Sequence, residues 1–163
     1  MKRLQPMSLI TDVDIEALYR SDLTRVVRLA FLLLGDASLA EEIGQEAFAR
    51  LLQQGRTPRE PAAYLTTITV NLCRDHGRRS TTARLHPPPP SHVEPAPQVP
   101  REVDEVWQAV QRLPRVHRDA VVLRYWADLS TAEVARILDI RPGTARSALH
   151  RALKSLKETL HEE

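Results

Sequence analysis

Apolar side chains recur at three- and four-residue steps along much of this sequence, the spacing that lines one face of an α-helix. In the first half this pattern predicts three helices. They run from near Asp14 to Gly35, from a capping box at Ser38–Glu41 to Gly55, and from Pro61 to the region of Gly77. Three helices joined by short connections predict a compact bundle.

The same spacing returns in the last third of the chain. An amphipathic helix over Val103–Leu113 ends at Pro114, and another follows around Ala120. A second capping box, Ser130–Glu133, then opens a short helix, and after the turn 139–141 a last helix begins at Pro142. Two helices with a three-residue turn between them predict a helix-turn-helix.

A proline-rich stretch from Ser80 to Arg101 separates these two patterns. It contains four consecutive prolines, Pro87–Pro90, and three more at Pro95, Pro97 and Pro100. Proline donates no backbone hydrogen bond, so an extended spacer is expected, up to about 65 Å long at about 3.1 Å per residue. We therefore predict an all-α fold with an N-terminal bundle over residues 12–80, a linker over 81–101 and a helix-turn-helix domain over 102–160.

Composition supports this fold and restricts the function. Aromatic residues make up 4% of the chain and there are five glycines, which is sparse for a β-sandwich or a glycine-rich cofactor fold. The net charge of +2 is low for a protein that binds DNA tightly by itself, because affinity rises with the number of phosphates neutralised. Any role on DNA is therefore expected to need a partner.

Other features of the chain indicate a cytoplasmic protein. Its one cysteine, Cys73, forms no internal disulfide. The sequence has no signal-peptide core, and its longest apolar run, Leu29–Leu34, is too short to span a bilayer, so no membrane insertion is expected.

The predicted last helix carries a polar face opposite its apolar stripe. That face comprises Thr144, Arg146, Ser147, His150, Arg151 and Lys154. Arginine reads guanine edges in a major groove, and hydroxyl and basic side chains bind bases or phosphates. The alternative is the solvated face of an ordinary terminal helix, which the preceding capped helix and turn make less favoured.

The predicted second helix has an acidic outer face with Glu41, Glu42, Gln45, Glu46 and Arg50. Acidic residues in a first turn interact favourably with the helix dipole, which accounts for Glu41 and Glu42 but less well for Glu46.

The sequence gives little sign of a metal site or of catalysis. Cys73 and His76 have a metal-like spacing, but zinc needs three or four ligands and no further ligands complete the set. A buried thiol and a surface imidazole are expected instead. No phosphate loop, nucleophile elbow or catalytic carboxylate pair occurs, so neither an enzyme nor a cofactor is predicted.

The order of these motifs resembles the extracytoplasmic-function group of the sigma-70 family, over about residues 15–160. The signature of the family's second region is recognisable in Leu39–Phe48. The family's promoter-melting helix resembles a set of residues further along this chain: Pro61–Leu65, Ile68–Asn71, Asp75 and Arg78–Arg79. The helix-turn-helix that reads the −35 element is similar to Leu129–Ala135 together with Gly143–Ala152.

This resemblance implies a sigma factor that brings core RNA polymerase to promoter DNA. It implies contacts with the β′ clamp helices through Glu42, Gln45 and Glu46, a further contact with the β subunit, and an anti-sigma protein as inhibitor. It assigns reading of the opened −10 element to Asn71, with Arg74, Arg78 and Arg79 nearby on phosphates. For the −35 element it implies the set Arg124, Thr144, Arg146, Ser147, His150 and Arg151.

The sequence departs from the family pattern at three places. The loop Gln53–Glu60 lacks an aromatic residue that often helps to trap a flipped base. Ala148 stands where many members have a basic residue, which predicts the loss of a phosphate contact. Asp139 replaces a common turn glycine, a change that a residue tolerant of the left-handed conformation accommodates.

Two other classes of function remain open at the level of sequence. A free-standing helix-turn-helix regulator would bind a palindromic duplex without polymerase. The near-neutral charge and the acidic second helix disfavour it. A pure protein-interaction adaptor is disfavoured by Arg146 and Arg151.

Overall fold

The computed structural model describes residues 12–54, 58–83 and 101–161, and every regular element in those ranges is a helix. The predicted all-α class is therefore confirmed. The helices are α1 (Asp12–Leu34), α2 (Ala37–Gln53), α3 (Pro61–Ala83), α4 (Arg101–Arg112), α5 (Arg115–Val121), α6 (Thr131–Leu138) and α7 (Pro142–His161), with a π-helical segment, Val122–Trp126, directly after α5.

Helices α1, α2 and α3 pack together as an N-terminal bundle. One core cluster of this bundle consists of buried apolar residues: Val26, Ala47, Phe48, Leu51, Leu65 and Ile68. A polar network also ties α3 to α1, because Arg25 pairs with Asp22 at 2.8 Å and donates hydrogen bonds to the Thr66 hydroxyl and the Ala62 carbonyl. Gly35 ends α1 with φ of +73°, a conformation that favours glycine.

Two predicted boundaries of the N-terminal bundle were wrong. Helix α2 is capped by Asp36, whose carboxylate accepts a hydrogen bond from the Leu39 amide at 2.9 Å, and Ser38 lies inside the helix. Helix α3 does not end near Gly77 but continues to Ala83, and α4 already begins at Arg101. Both ends of the predicted spacer are therefore helical, while residues 84–100 and the predicted stop at Gly55 lie outside the described residues.

Helices α4 to α7 form a C-terminal bundle that contains the predicted helix-turn-helix. The capping box at the start of α6 is confirmed: the Ser130 hydroxyl accepts from the Glu133 amide, and the Glu133 carboxylate accepts from the Ser130 amide at 2.7 Å. Asp139 adopts the left-handed conformation, with φ of 53°, in the turn before α7. Ala145, Leu149 and Ala152 of α7 are buried and lie on the apolar stripe of the helix.

Some positions in the C-terminal bundle do not follow the predicted pattern. Val106, Val116 and Leu153 are apolar residues of the predicted helices but are each more than 40% exposed. Ala148 was expected to face DNA but is 4% exposed and lies in the core, so no phosphate contact is missing there. Helices α4, α5 and α6 each pack against α7, and α5 also packs against α6. The buried face of each helix therefore depends on its neighbours and differs from the face that apolar spacing alone predicts.

The two bundles also pack against each other. One apolar cluster contains Leu29, Leu33, Val70 and Cys73 from the N-terminal bundle together with residues of the C-terminal bundle: Val110, Leu113, Ala120, Val121, Leu123, Leu138 and Leu149. This continuous core places α3 beside α5 and α6.

Candidate nucleic-acid interface

The polar face of α7 is exposed along its length. Thr144, Arg146, Ser147, His150 and Arg151 all lie on the solvent side of the helix. The buried positions between them, Ala145, Ala148, Leu149 and Ala152, hold the opposite side against α5 and α6. Because the capped α6 and its turn fix the start of α7, this exposed row has the geometry of a recognition helix.

Arg124 belongs to the predicted −35 set but lies on a different element. It is half-buried in the π-helical segment, and its guanidinium carbon lies 5.4 Å from the centre of the Tyr125 ring. This cation–π contact orients the side chain.

The predicted −10 residues form a row along α3. Asn71, Arg78 and Arg79 are exposed, whereas Arg74 is half-buried. Asn71, Arg74 and Arg78 are three and four residues apart, so they share one face of the helix. Arg74 donates a hydrogen bond to the Ile137 carbonyl of α6 at 3.3 Å, so within the described residues the C-terminal bundle already engages it.

The predicted docking face on α2 is exposed and partly ordered by its neighbours. Glu42, Gln45 and Glu46 all lie on the solvent side. Glu46 pairs with Arg50 at 2.8 Å, and the Gln45 amide donates to the Tyr19 hydroxyl at 2.9 Å. The face therefore presents hydrogen-bond acceptors and negative charge beside the Tyr19 ring.

The described residues contain no group of three or more His, Cys, Asp or Glu side chains that could hold a metal ion. Cys73 is 2% exposed and His76 is exposed, which confirms the buried thiol and surface imidazole predicted from sequence. Burial raises the pKa of the Cys73 thiol to about 12, and Asp119 adds to the rise. This thiol is therefore un-ionised at neutral pH and a poor nucleophile.

Among the residues that the structure describes, the carboxyl group with the largest pKa shift is that of Asp119 in α5, which lies between the bundles. Burial raises the pKa of this carboxyl to about 6, even though Arg115, Arg118 and Arg74 all act to lower it. Asp119 lines a cavity of about 460 Å³ together with residues of both bundles, among them Cys73, Arg74 and Arg115.

Sequence reasoning missed the residues that join the two bundles. The spacing of apolar residues singled out neither Gln111 nor Arg115, yet both donate hydrogen bonds to carbonyls of the N-terminal bundle. The spacing of apolar residues within one helix does not indicate which polar side chains bond to another bundle.

Comparison with known proteins agrees with this arrangement. The family pattern for Sigma-70 region 2 matches residues 18–82, and that for Sigma-70, region 4 matches residues 104–156. The ECF RNA polymerase sigma factor SigL of Mycobacterium tuberculosis is 31% identical over 156 residues, which covers 90% of this chain and 88% of SigL. The RNA polymerase sigma-E factor of Streptomyces coelicolor is 29% identical over 153 residues, covering 91% and 86% of the two chains.

Two solved structures share the fold. The sigma factor RpoE of Bartonella quintana, in complex with the anti-sigma factor NepR, has a TM-score of 0.71 at 21% identity and covers 91% of this chain and 97% of RpoE. CnrH in complex with the cytosolic domain of CnrY has a TM-score of 0.68 at 19% identity and covers 94% and 92%.

A region 2 bundle followed by a region 4 helix-turn-helix defines a sigma-70-type transcription initiation factor. This chain belongs to the extracytoplasmic-function group of that family, as its motifs indicated. It is therefore a sigma factor, which directs RNA polymerase to promoters, and the free-standing regulator is not favoured. Sigma factors are non-catalytic regulators. None of the described helices is long and apolar enough to cross a membrane.

Proposed function

We propose that this sigma factor divides promoter recognition between its bundles, with α7 reading the −35 element and α3 reading and opening the −10 element. The observation that carries the proposal is the exposed row on α7, in which Arg146, Ser147, His150 and Arg151 face solvent from a helix whose other side is buried. That row fits a major groove, which admits an α-helix.

On the −35 element, Arg146 and Arg151 have the chemistry to contact guanine edges or phosphates. Ser147 and His150 lie between them and exchange hydrogen bonds with bases or backbone. Thr144 lies near the start of α7, where helix amides favour a phosphate. Arg124 adds a positive charge from the π-helical segment.

On the −10 element, Asn71 presents an amide that donates and accepts at the edge of an unpaired base. Arg78 and Arg79 follow about two turns later on α3, where guanidinium groups bind phosphates of the opened strand. Arg74 joins this set when it is released from Ile137. No base-trapping aromatic occurs in the preceding loop, so the proposal assigns strand capture to these polar and basic side chains.

The acidic face of α2 is the proposed contact with the core enzyme. Glu42, Gln45 and Glu46 are exposed together and suit a basic surface such as the β′ clamp helices. A contact between the C-terminal bundle and the β subunit completes the complex. An anti-sigma protein is the proposed inhibitor, since the similar sigma factor RpoE of Bartonella quintana forms a complex with the anti-sigma factor NepR. The chain acts in the cytoplasm and catalyses no reaction itself.

Core binding and transcription test this function together. The wild-type chain with purified core polymerase is expected to transcribe from a promoter library, and the Glu42→Lys/Glu46→Lys variant is expected to lose core binding. A Glu16→Lys/Glu158→Lys variant is the matched control, because it reverses two exposed acids outside the proposed face. The proposed function would be overturned if neither the wild-type chain nor the control variant supported transcription with core polymerase.

A further inference from the structure

The guanidinium group of Arg25 on α1 makes hydrogen bonds to the first turns of α3. Its Nε donates to Asp22 Oδ1 at 2.8 Å. Its Nη1 donates to the Thr66 hydroxyl at 2.9 Å, and its Nη2 donates to the Ala62 carbonyl at 3.1 Å. Asp22 lies on α1 itself, whereas Thr66 and Ala62 lie on α3. We call these three hydrogen bonds the Arg25 bridge.

The Arg25 bridge fixes the plane of the guanidinium group. Each of the three guanidinium nitrogens has an acceptor of its own, and the Asp22 side chain, which is 15% exposed, holds the group from the same helix. A lysine ammonium has a single nitrogen and no plane, so a lysine at this position would be unable to make all three bonds. An arginine is therefore needed here for the direction of its bonds as well as for its charge.

Two buried threonines on α3 differ in what their hydroxyls bind. Thr66 is 5% exposed and Thr69 is 0% exposed. The Thr69 hydroxyl donates to the Leu65 carbonyl of its own helix at 2.7 Å. The Thr66 hydroxyl donates to the Ala62 carbonyl at 3.1 Å in the same way, but it also accepts the bond from Arg25. The Thr66 hydroxyl therefore links two helices, whereas the Thr69 hydroxyl bonds within α3.

The Arg25 bridge sets how α3 is rotated about its axis. Apolar packing, such as that of Leu65 and Ile68 in the core of the bundle, is non-directional. A hydrogen bond is directional, because it weakens steeply as its angle departs from linearity. With Thr66 directed at α1, Asn71 lies about 140° further around α3 and about 7.5 Å further along it. Asn71 is exposed on that side, which is turned away from the bridge.

Reading a base demands this control of rotation. A rotation of α3 by about 20° would move a group that lies about 6 Å from the helix axis by about 2 Å. The distances of good hydrogen bonds span only about 0.5 Å. A small rotation of α3 would therefore take the Asn71 amide out of reach of a base that is held by the rest of the complex.

We propose that Arg25 is a positioning residue for promoter reading: its bonds to α3 fix the rotation that brings the Asn71 amide to a base of the opened −10 element. This inference rests on the proposed function, which assigns reading of that element to Asn71. Arg25 acts through the helix that it holds and makes no contact with a base itself.

The test measures base preference in the holoenzyme. The DNA is a forked promoter whose −10 strand is single-stranded and randomised. Sequencing of the bound and unbound DNA gives, at each −10 position, the ratio of binding between the preferred base and the other bases. This ratio does not depend on how much of the protein is folded. A variant that is merely less stable therefore keeps the wild-type ratio.

The variants separate hydrogen bonding from packing. Thr66→Val keeps nearly the shape of threonine and removes the hydroxyl, whereas Thr66→Ser keeps the hydroxyl and loses a methyl group. Arg25→Lys keeps the charge beside Asp22 and breaks the bridge to α3. Thr69→Val is the matched control for the buried hydroxyl, because that hydroxyl bonds within α3. Arg20→Lys is the matched control for the arginine, because Arg20 forms an exposed ion pair with Glu16 on α1.

Thr66→Val and Arg25→Lys are each expected to lower the base ratio about fivefold at one or more −10 positions, the effect of losing about one hydrogen bond to the base. The double variant is expected to lose no more than either single variant, because each change alone breaks the same bridge. Thr66→Ser, Thr69→Val and Arg20→Lys are expected to keep the wild-type ratios.

Wild-type ratios in both Thr66→Val and Arg25→Lys would overturn the inference. An equal loss in Thr69→Val would also overturn it, because the cause would then be the packing of α3 alone. Asn71→Ala in the same assay tests the proposed function separately: wild-type ratios at every position would show that Asn71 does not read a base. The comparison of Thr66→Val with Thr69→Val would then still decide whether Arg25 orients α3 for base reading.

Discussion

The rings of Phe31 and Trp107 stack face to face across the two bundles, with centroids 5.3 Å apart and planes inclined by 4°. Phe31 belongs to the last turn of α1 and Trp107 to the middle of α4. The stack lies beside the hydrogen bond from Gln111 to the Leu32 carbonyl and adds to the apolar core that the two bundles share. Two segments far apart in the sequence thus form one hydrophobic unit.

This stack predicts energetic coupling between the bundles. In a double-mutant cycle of Phe31→Leu and Trp107→Leu, we expect a coupling of about 0.5 to 1.5 kcal/mol in the free energy of unfolding. Urea denaturation of the full chain measures each corner of the cycle. Additive losses would show that the rings contribute to their own bundles alone.

Asp119 predicts a pH dependence of stability. Its pKa is raised to about 6 in the folded chain from an ordinary value of 3.8, mainly by burial and despite Arg115 and Arg118 on its own helix and Arg74 on α3. The folded state therefore holds the proton more tightly than the unfolded state. The resulting stabilisation is complete below pH 3.8 and is lost as pH rises through about 6.

Asp119→Asn is accordingly expected to stabilise the chain at pH 8 by up to about 3 kcal/mol, since a shift of one pKa unit corresponds to about 1.4 kcal/mol. The gain should vanish at pH 4. Thermal unfolding from pH 4 to pH 8 measures it, with Asp75→Asn on the exposed side of α3 as control. A constant difference between wild type and Asp119→Asn across this range would contradict the assignment.

Gly44 predicts close packing of α2 on α1. A Cβ at this position would lie 2.6 Å from Val27 Cγ2, so Gly44→Ala is expected to destabilise the N-terminal bundle by about 1 to 3 kcal/mol through overpacking. Val27→Ala should relieve this strain in the double variant. Denaturant unfolding of the single and double variants checks the rescue, and equal losses in Gly44→Ala with and without Val27→Ala would exclude a steric cause.

The capping box predicts a local stability effect in the helix-turn-helix. Ser130→Ala is expected to cost about 1 kcal/mol, because it removes the acceptor for the Glu133 amide. Hydrogen bonds with Ser130 also lower the pKa of Glu133, and this shift should diminish in the variant. Amide exchange in α6 and an NMR titration of Glu133 measure the two effects. A wild-type chain in which Glu133 titrates at its ordinary pKa would show that the reciprocal cap is not formed in solution.

Local signals predicted the elements of this fold well. The box at Ser130–Glu133, the proline starts of α3 and α7, and the exposed face of α7 are all as expected, because each depends on residues within one or two turns. The cap of α2 was misplaced because Asp36 and Ser38 are both good capping residues two positions apart. Local chemistry alone does not choose between them.

Contacts distant in sequence could not be predicted in the same way. Gly77 looked like a helix stop, but Arg115 from another bundle explains why a glycine lies inside α3. Ala148 looked like a lost DNA contact, but packing within the C-terminal bundle makes it a core residue. In both cases a neighbour from another helix decides the role.

Reading of the −35 element by α7 is the central claim, and binding of the holoenzyme to promoters randomised across that element tests it most directly. Wild-type, Arg146→Ala and Arg151→Ala holoenzymes are compared at two salt concentrations, with Arg112→Ala as control. A base contact contributes about 1 to 3 kcal/mol of discrimination, whereas a phosphate contact weakens all sequences alike and lowers the salt slope by about one. We predict that both arginine variants lose −35-dependent binding, at least one with altered base preference, while core binding is unchanged. Wild-type affinity and preference in both variants would contradict the account.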